Sequence, residues 1–154
     1  MTPASDLLFI DTNIFVYAEF SDSLHHVTAR TILNRAMESD AGFCTAPQVL
    51  AEFYAVVTDT RRVSAARNPG EAVDDIERIL ELPGIIVLPV PSDFARIWLP
   101  LARRYEITRQ DIFDTQIVAL MTVHGISRIA TFDEKDFERF SEVSVQRPEG
   151  IPFR

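Results

Sequence analysis

The chain has 154 residues, 47% of them hydrophobic and 25% charged, which is typical of one globular domain covering residues 1–154. Its formal charge of −8 excludes a protein that holds nucleic acid through overall positive charge, and it suits a protein that concentrates carboxylates around a metal ion. The single cysteine, Cys44, excludes an intramolecular disulfide and a cysteine-rich zinc site, so we expect a buried thiol in a cytoplasmic protein. The first apolar run, residues 7–10, is far too short to span a bilayer, and we expect no membrane partner.

Short apolar runs alternate with longer amphipathic segments along the whole chain. Such runs are typical of strands covered on both faces, whereas apolar residues spaced three or four apart predict helices. The predicted strands are residues 7–10, 42–45, 85–88, 128–131 and, at an edge, 143–145. The predicted helices are residues 12–19, 22–38, 48–61, 71–82, 92–105, 111–124 and 134–140. The alternation predicts an α/β fold, a three-layer sandwich with a central, mostly parallel sheet of four to five strands.

Three of these helices carry more specific expectations. Asp22 or Ser23 is the predicted N-cap of the second helix. Pro100 should kink or split the helix over residues 92–105, because it lacks a backbone N–H. The buried face of the helix over residues 71–82 is predicted to consist of Val73, Ile76, Ile79 and Leu80.

Acidic side chains stand where a ligand is expected in such a fold. Open parallel sheets bind ligands beyond the carboxyl ends of their strands, and Asp11 and Asp133 follow two predicted strands. Asp111 and Asp114 share one face of the first turn of a helix, where the helix dipole alone also favours acids. Glu52 interrupts an apolar stretch of the third helix, although a glutamate facing solvent is the simpler interpretation there.

Carboxylates held close together repel one another, and a divalent cation relieves that repulsion. Mg²⁺ and Mn²⁺ prefer oxygen ligands and usually keep waters for substrate phosphates. These ions can activate water and neutralise charge on a phosphodiester. Other chemistries fit less well, because the chain has no glycine-rich phosphate loop and no Gly-x-Ser-x-Gly motif. The adjacent His25 and His26 diverge on a helix, so they are interpreted as ordinary helix-face residues.

The order of these segments resembles that of PIN domains, the ribonuclease domains of VapC toxins. Residues 7–18 (LLFIDTNIFVYA) resemble the family's opening, 47–53 its second acidic motif, 114–119 (DTQIVA) its third, and 125–137 its closing segment. The resemblance implies a metal-dependent endoribonuclease with an acidic cluster formed by Asp11, Glu52, Asp114 and Asp133, which would bind Mg²⁺ or Mn²⁺. It further implies that Asn13 and Thr131 hydrogen-bond to this cluster. The family pattern does not demand an acid at Asp111, which we expect to be auxiliary, and we expect Asp136, next to Phe137, to cap the short helix.

The same resemblance implies an RNA substrate, a cognate antitoxin protein and a homodimer. Local arginines would then contact the RNA, either Arg61, Arg62 and Arg67 or Arg103, Arg104 and Arg109, although a solvated surface is the simpler interpretation of both groups. Two other functions remain open, a housekeeping RNA-processing nuclease and a non-catalytic PIN-like scaffold. A phosphatase of the haloacid-dehalogenase type is discounted, because Asn13 stands where its second aspartate is needed.

Overall fold

The computed structural model describes residues 2–153 and contains a five-stranded, entirely parallel sheet. Its strands are β1 (Leu8–Ile10), β2 (Phe43–Thr45), β3 (Ile85–Val87), β4 (Arg128–Ala130) and β5 (Ser144–Gln146), in the spatial order β3-β2-β1-β4-β5. The helices are α1 (Thr12–Glu19), α2 (His26–Arg35), α3 (Pro47–Val57), α4 (Pro69–Leu80), α5 (Phe94–Arg104) and α6 (Asp111–Val123). The predicted α/β class and parallel sheet are confirmed.

The direction of the connections places the helices on two sides of the sheet. The chain moves from β1 to β2 to β3 in one direction, then returns past β1 to β4 and β5. Because crossovers are right-handed, α1 to α4 cover one face, and α5 and α6 cover the other. Consistent with this, α1 packs against α2 and α3, whereas α5 packs against α6. The strand order reverses between β1 and β4, and ligands bind at such a point in open α/β sheets.

The sheet forms the centre of the core. Phe9 and Ile10 of β1, Cys44 of β2 and Ile129 of β4 have no solvent exposure, which explains why these strands are apolar without alternation. Burial raises the pKa of the Cys44 thiol to about 12, so this thiol is inert. No helix among residues 2–153 is long and apolar enough to cross a membrane.

Three helix predictions were wrong in detail. The second helix begins at His26, because the Ser23 hydroxyl accepts a hydrogen bond from the backbone N–H of His25 within a preceding turn. Helix α5 runs through Pro100 without a break, so the split that was one of the two predicted outcomes does not occur. Because proline has no backbone N–H, the Arg96 carbonyl lacks its usual helical hydrogen bond. Arg96 and Pro100 are both exposed, so water can solvate this carbonyl. The predicted helix over residues 134–140 is a single 3-10 turn, Glu134–Asp136.

The buried face of α4 also differs from its prediction. Val73 and Leu80 are 47% and 53% exposed, and Ala72 and Asp75 are buried in their place beside Ile79. Asp75 is held by Arg67 at 3.0 Å and by Arg78. The helix is therefore rotated toward a buried ion pair, which apolar periodicity cannot reveal.

Candidate active site

A cavity of about 360 Å³ opens at the point where the strand order reverses. Six of its lining residues are acidic: Asp11, Asp22, Glu52, Asp114, Asp133 and Asp136. All four acids that the resemblance implied therefore line one cavity, although they come from segments separated by as many as 122 residues. Its volume lies within the range of about 300–1,000 Å³ that is usual for ligand sites.

Asp11 lies at the bottom of the cavity, directly after β1, and is the N-cap of α1. Its Oδ1 accepts a hydrogen bond from the backbone N–H of Thr12 at 2.8 Å, and its Oδ2 accepts one from the Thr131 hydroxyl at 2.8 Å. Burial raises the pKa of Asp11 to about 6, and the charges of Glu52 and Asp133 act in the same direction. The two hydrogen bonds oppose this rise by stabilising the carboxylate.

Asn13 and Thr131 connect the start of α1 to the segment that follows β4. The Asn13 amide donates to the Thr131 hydroxyl at 3.0 Å and to Asp133 Oδ2 at 3.1 Å. The same Thr131 oxygen accepts from the backbone N–H of Asp133, and Asn13 Oδ1 accepts from that of Phe132. One network thus fixes the two carboxylates that follow β1 and β4, and the predicted partners of the acids lie where the prediction requires.

Asp114 and Glu52 complete the cluster from two helices. Asp114 lies in the first turn of α6, and burial raises its pKa to about 7, with Asp136, Asp11, Glu52 and Asp111 acting in the same direction. Glu52 lies on an exposed position of α3, where its Oε2 accepts a hydrogen bond from the Thr12 hydroxyl at 3.0 Å. The cluster therefore carries repulsion that protons or a cation must relieve.

The structure places Asp111 outside the cavity and Asp136 in its lining. Asp111 does not line the cavity, and its Oδ2 accepts from the Arg139 guanidinium at 2.8 Å. Asp136, expected as a helix cap, makes no capping hydrogen bond and lines the cavity instead. Burial raises the pKa of Asp136, and Asp133, Asp111 and Glu52 raise it further. Asp136 is thus a fifth carboxylate of the cluster.

Carboxylate oxygens are the donors that hard divalent cations prefer, so the donor chemistry fits Mg²⁺ or Mn²⁺. Within residues 2–153, no three aspartate, glutamate, histidine or cysteine side chains are arranged closely enough to hold an ion by themselves. Mg²⁺ is usually held by one or two carboxylates together with waters and substrate phosphates, so a closed set of three is not required.

Aromatic residues that sequence reasoning missed flank this cluster. The His25 ring stacks on Phe132 with centroids 4.2 Å apart, and the Tyr17 ring lies 5.1 Å from His25 and 5.4 Å from Phe132. Burial and the Asp133 charge raise the pKa of Tyr17, whereas the Arg62 charge lowers it. Tyr17 lies in the opening motif and Phe132 in the closing one, but only the fold shows that His25 meets them.

Known proteins match this chain over most of its length. The model of the PIN domain family matches residues 8–143. Ribonuclease VapC43 of Mycobacterium tuberculosis is 25% identical over 92% of this chain and 95% of its own length.

Solved structures share the fold. The crystal structure of VapC20 from Mycobacterium tuberculosis, described as a Sarcin-Ricin loop cleaving toxin, has a TM-score of 0.60 at 22% identity and covers 84% of this chain and 92% of that one. A chain of VapBC-1 from nontypeable Haemophilus influenzae has a TM-score of 0.64 at 15% identity and covers 93% of this chain and 98% of that one.

Proposed function

The chain belongs to the PIN domain family, and from this premise we propose that it is a metal-dependent endoribonuclease, the toxin of a toxin–antitoxin pair. The observation that carries the proposal is the meeting of Asp11, Glu52, Asp114 and Asp133 in one cavity at the switch point of the sheet. Ribonuclease VapC43, which matches this chain over nearly the full length of both proteins, is named as a ribonuclease, and this supports RNA as the substrate.

We propose that Asp11, Glu52, Asp114 and Asp133 hold Mg²⁺ or Mn²⁺, with Asp11 and Asp114 at the centre. Such an ion, when bound, offsets charge on the phosphodiester and acidifies water. Asp11 and Asp114 must both lose their protons to bind it, and their raised pKa values make this step depend on pH. Glu52 Oε1 accepts no hydrogen bond from residues 2–153, so this oxygen can orient the attacking water.

Thr131 and Asn13 act through the carboxylates. The Thr131 hydroxyl fixes Asp11, and the Asn13 amide fixes Asp133, so both carboxylates are oriented before substrate arrives. A chain of VapBC-1 of similar fold supports an antitoxin partner as part of this proposal. The homodimer in this proposal rests on the family resemblance alone. An antitoxin-like reading frame beside the gene would favour the toxin over a housekeeping nuclease.

The test is to incubate purified protein with total RNA and Mn²⁺ or Mg²⁺, with and without EDTA, and to map the new RNA ends. We expect discrete new ends that disappear with EDTA. Uncut RNA in the presence of both ions would refute the nuclease. Binding of Mn²⁺ without cleavage would favour the scaffold.

A further inference from the structure

Tyr17, Arg62 and Ser64 line the same cavity as the acidic cluster, and the Arg62 charge is close enough to Tyr17 to lower its pKa. We name this part of the lining the Tyr17–Arg62 end. Within the part of the chain that the structure describes, Arg62 is the one arginine or lysine that lines the cavity. An RNA strand that passes six carboxylates needs a positively charged side chain beside them. With a net charge of −8, the protein as a whole does not attract RNA, so that side chain must be a local one. The Tyr17–Arg62 end is therefore the place to look for a contact to the RNA backbone.

The neighbouring arginines, Arg61 and Arg67, already form ion pairs with acidic side chains. Arg61 donates from Nε and Nη2 to the two oxygens of Asp59, each at 3.0 Å. Arg67 is bound to Asp75 at 3.0 Å and approaches Glu19 at 3.5 Å. The Arg62 guanidinium, in contrast, makes no ion pair within residues 2–153, although it contributes with Arg61 to lowering the pKa of Asp59. It is exposed and free to bind an incoming anion.

Tyr17 supplies a second free donor at this end. Its ring is held on one side by His25 and Phe132, at centroid distances of 5.1 and 5.4 Å. Its hydroxyl makes no hydrogen bond to another of residues 2–153. The Ser64 hydroxyl, by contrast, already donates a hydrogen bond to Asp22 at 2.6 Å, so it is not a free donor. Tyr17 and Arg62 are thus two hydrogen-bond donors without acceptors among residues 2–153, and they line a cavity that also contains six carboxylates.

We propose that Arg62 and Tyr17 form a phosphate subsite, which binds a backbone phosphate of single-stranded RNA beside the phosphodiester that the acidic cluster cleaves. Guanidinium and phenol groups match phosphate oxygens, and a charge-assisted pair of this kind positions the strand without reading its sequence. The inference rests on the proposed nuclease function and adds to it a residue that places the substrate. An acidic peptide is the other ligand that these donors could take, and the test separates the two.

The experiment compares Arg62→Ala with Arg61→Ala, a matched control that removes the same charge one residue away. Binding of a fluorescent single-stranded oligouridylate is measured by anisotropy in EDTA over a range of salt concentrations. Cleavage of total RNA with Mn²⁺ is followed in parallel, and thermal denaturation confirms that each variant is folded. Tyr17→Phe, which keeps the ring and removes the hydroxyl, is the third variant.

We expect Arg62→Ala to raise the Kd for the oligouridylate about tenfold and to reduce the slope of log Kd against log salt by about 0.7, the value for one phosphate on a single strand. Arg61→Ala should change Kd less than about twofold, since its charge is neutralised by Asp59. Cleavage by Arg62→Ala should show a higher KM with little change in kcat, and Tyr17→Phe a smaller effect in the same direction.

Equal effects of Arg62→Ala and Arg61→Ala on Kd and slope would overturn the subsite while leaving the nuclease standing. RNA binding unchanged in Arg62→Ala would also overturn it and would leave an acidic peptide as the ligand that these donors could take. Failure of the unaltered protein to cut RNA with Mn²⁺ would instead refute the nuclease, and the subsite with it. The two failures are therefore distinguishable.

Discussion

At Asp114, burial and four neighbouring acids oppose the charge that metal binding requires. We expect Asp114→Asn to lower RNA cleavage at least about a hundredfold, since even outer partners of a bound metal are worth 10–100-fold. The same change should raise the free energy of unfolding of the metal-free protein by about 1–2 kcal/mol above pH 7, because repulsion is removed. Cleavage assays with Mn²⁺ and denaturant titrations measure the two effects.

Asp74→Asn is the control for Asp114→Asn, because Asp74 is exposed on α4 and does not line the cavity. It should alter neither cleavage nor stability beyond about 0.5 kcal/mol. Full activity in Asp114→Asn would contradict the assignment of the site.

The raised pKa values of Asp11 and Asp114 predict how stability depends on pH. Both carboxyls have an ordinary pKa of 3.8, and folding raises these values to about 6 and about 7. Between about pH 4 and 7 the folded protein therefore binds more protons than the unfolded chain, and its unfolding free energy falls as pH rises. The stabilisation is complete below pH 3.8 and is lost as the pH passes through 6 and 7.

Thermal denaturation in EDTA at several pH values checks this dependence. Asp40 and Asp59 have pKa values lowered by Arg35 and Arg61 and contribute with the opposite sign. The difference between the unaltered protein and Asp114→Asn therefore isolates the site. We expect that difference to grow from pH 4 to 8. If stability depended on pH in the same way in the unaltered protein and in Asp114→Asn, the pKa of Asp114 would not be raised in the folded protein.

The sequence predicted the central acids better than it predicted their surroundings. Asp11 and Asp133 follow strands, so their meeting was a consequence of parallel pairing. The choice between Asp111 and Asp114 depended on which side of one helical turn faces the cavity. Asp111 is instead bound by Arg139, which lies 28 residues away in the chain, so local sequence could not reveal this ion pair. Arg62 reaches the cavity from a turn and Asp136 from a single 3-10 turn, and no hydrophobic periodicity specifies the path of such short segments.

At the scale of the elements, Thr131 joins β4 to the site. Its buried hydroxyl donates to Asp11 and accepts from Asn13 and the Asp133 N–H. We expect Thr131→Val, which has the same shape, to reduce cleavage about 10–100-fold. It should also cost about 1–3 kcal/mol of stability, since buried partners are left unpaired.

Thr45 provides the comparison for Thr131. It is equally buried at the end of β2 and donates to the Ile10 carbonyl at 3.1 Å, but within residues 2–153 its hydroxyl makes no hydrogen bond to a carboxylate. Thr45→Val should therefore lower stability by a similar amount and leave RNA cleavage intact. If both variants lost activity equally, the effect of Thr131→Val would be one of general stability.

Gly84 permits a close approach between β3 and the turn after α2. A Cβ atom at this position would lie 2.5 Å from the Glu38 carbonyl oxygen and 2.7 Å from that of Ala36. Because backbone atoms cannot move aside cheaply, Gly84→Ala should lower the free energy of unfolding by about 1–3 kcal/mol. Gly150→Ala, whose Cβ would meet nothing within 4 Å, should have little effect in the same denaturant titration. Equal stability of the two variants would show that the turn after α2 can shift to make room for the added Cβ atom.

The fold was predictable because most elements carry local signals. Asp11 begins α1, Pro47 lies at the first turn of α3, and the apolar runs mark the strands. The errors came from tertiary contacts, such as the Arg67–Asp75 ion pair that sets the rotation of α4. Such a pair joins a loop to a helix, and neither residue signals it alone.

The acidic charge of the protein and the proposed metal binding are linked. The chain carries 23 acidic and 15 basic residues, and six of the acids line one cavity. Without a divalent cation the carboxylates of this cavity weaken RNA binding, because like charges in a partly enclosed site are poorly screened. A divalent ion should therefore strengthen both the fold and the capacity to bind phosphate.

We accordingly predict that Mn²⁺ raises the Tm of the protein. At a concentration of about 100 times its Kd, a ligand of the folded state adds about 2.7 kcal/mol, which corresponds to roughly 5–10 °C for a domain of this size. The increase should be larger at pH 8 than at pH 5.5, where protons compete for Asp11 and Asp114. Asp114→Asn should lose most of it, and Asp74→Asn should retain it. A Tm that does not respond to millimolar Mn²⁺ at pH 8 would mean that the acidic cluster binds no such ion, and the scaffold would then be the better interpretation.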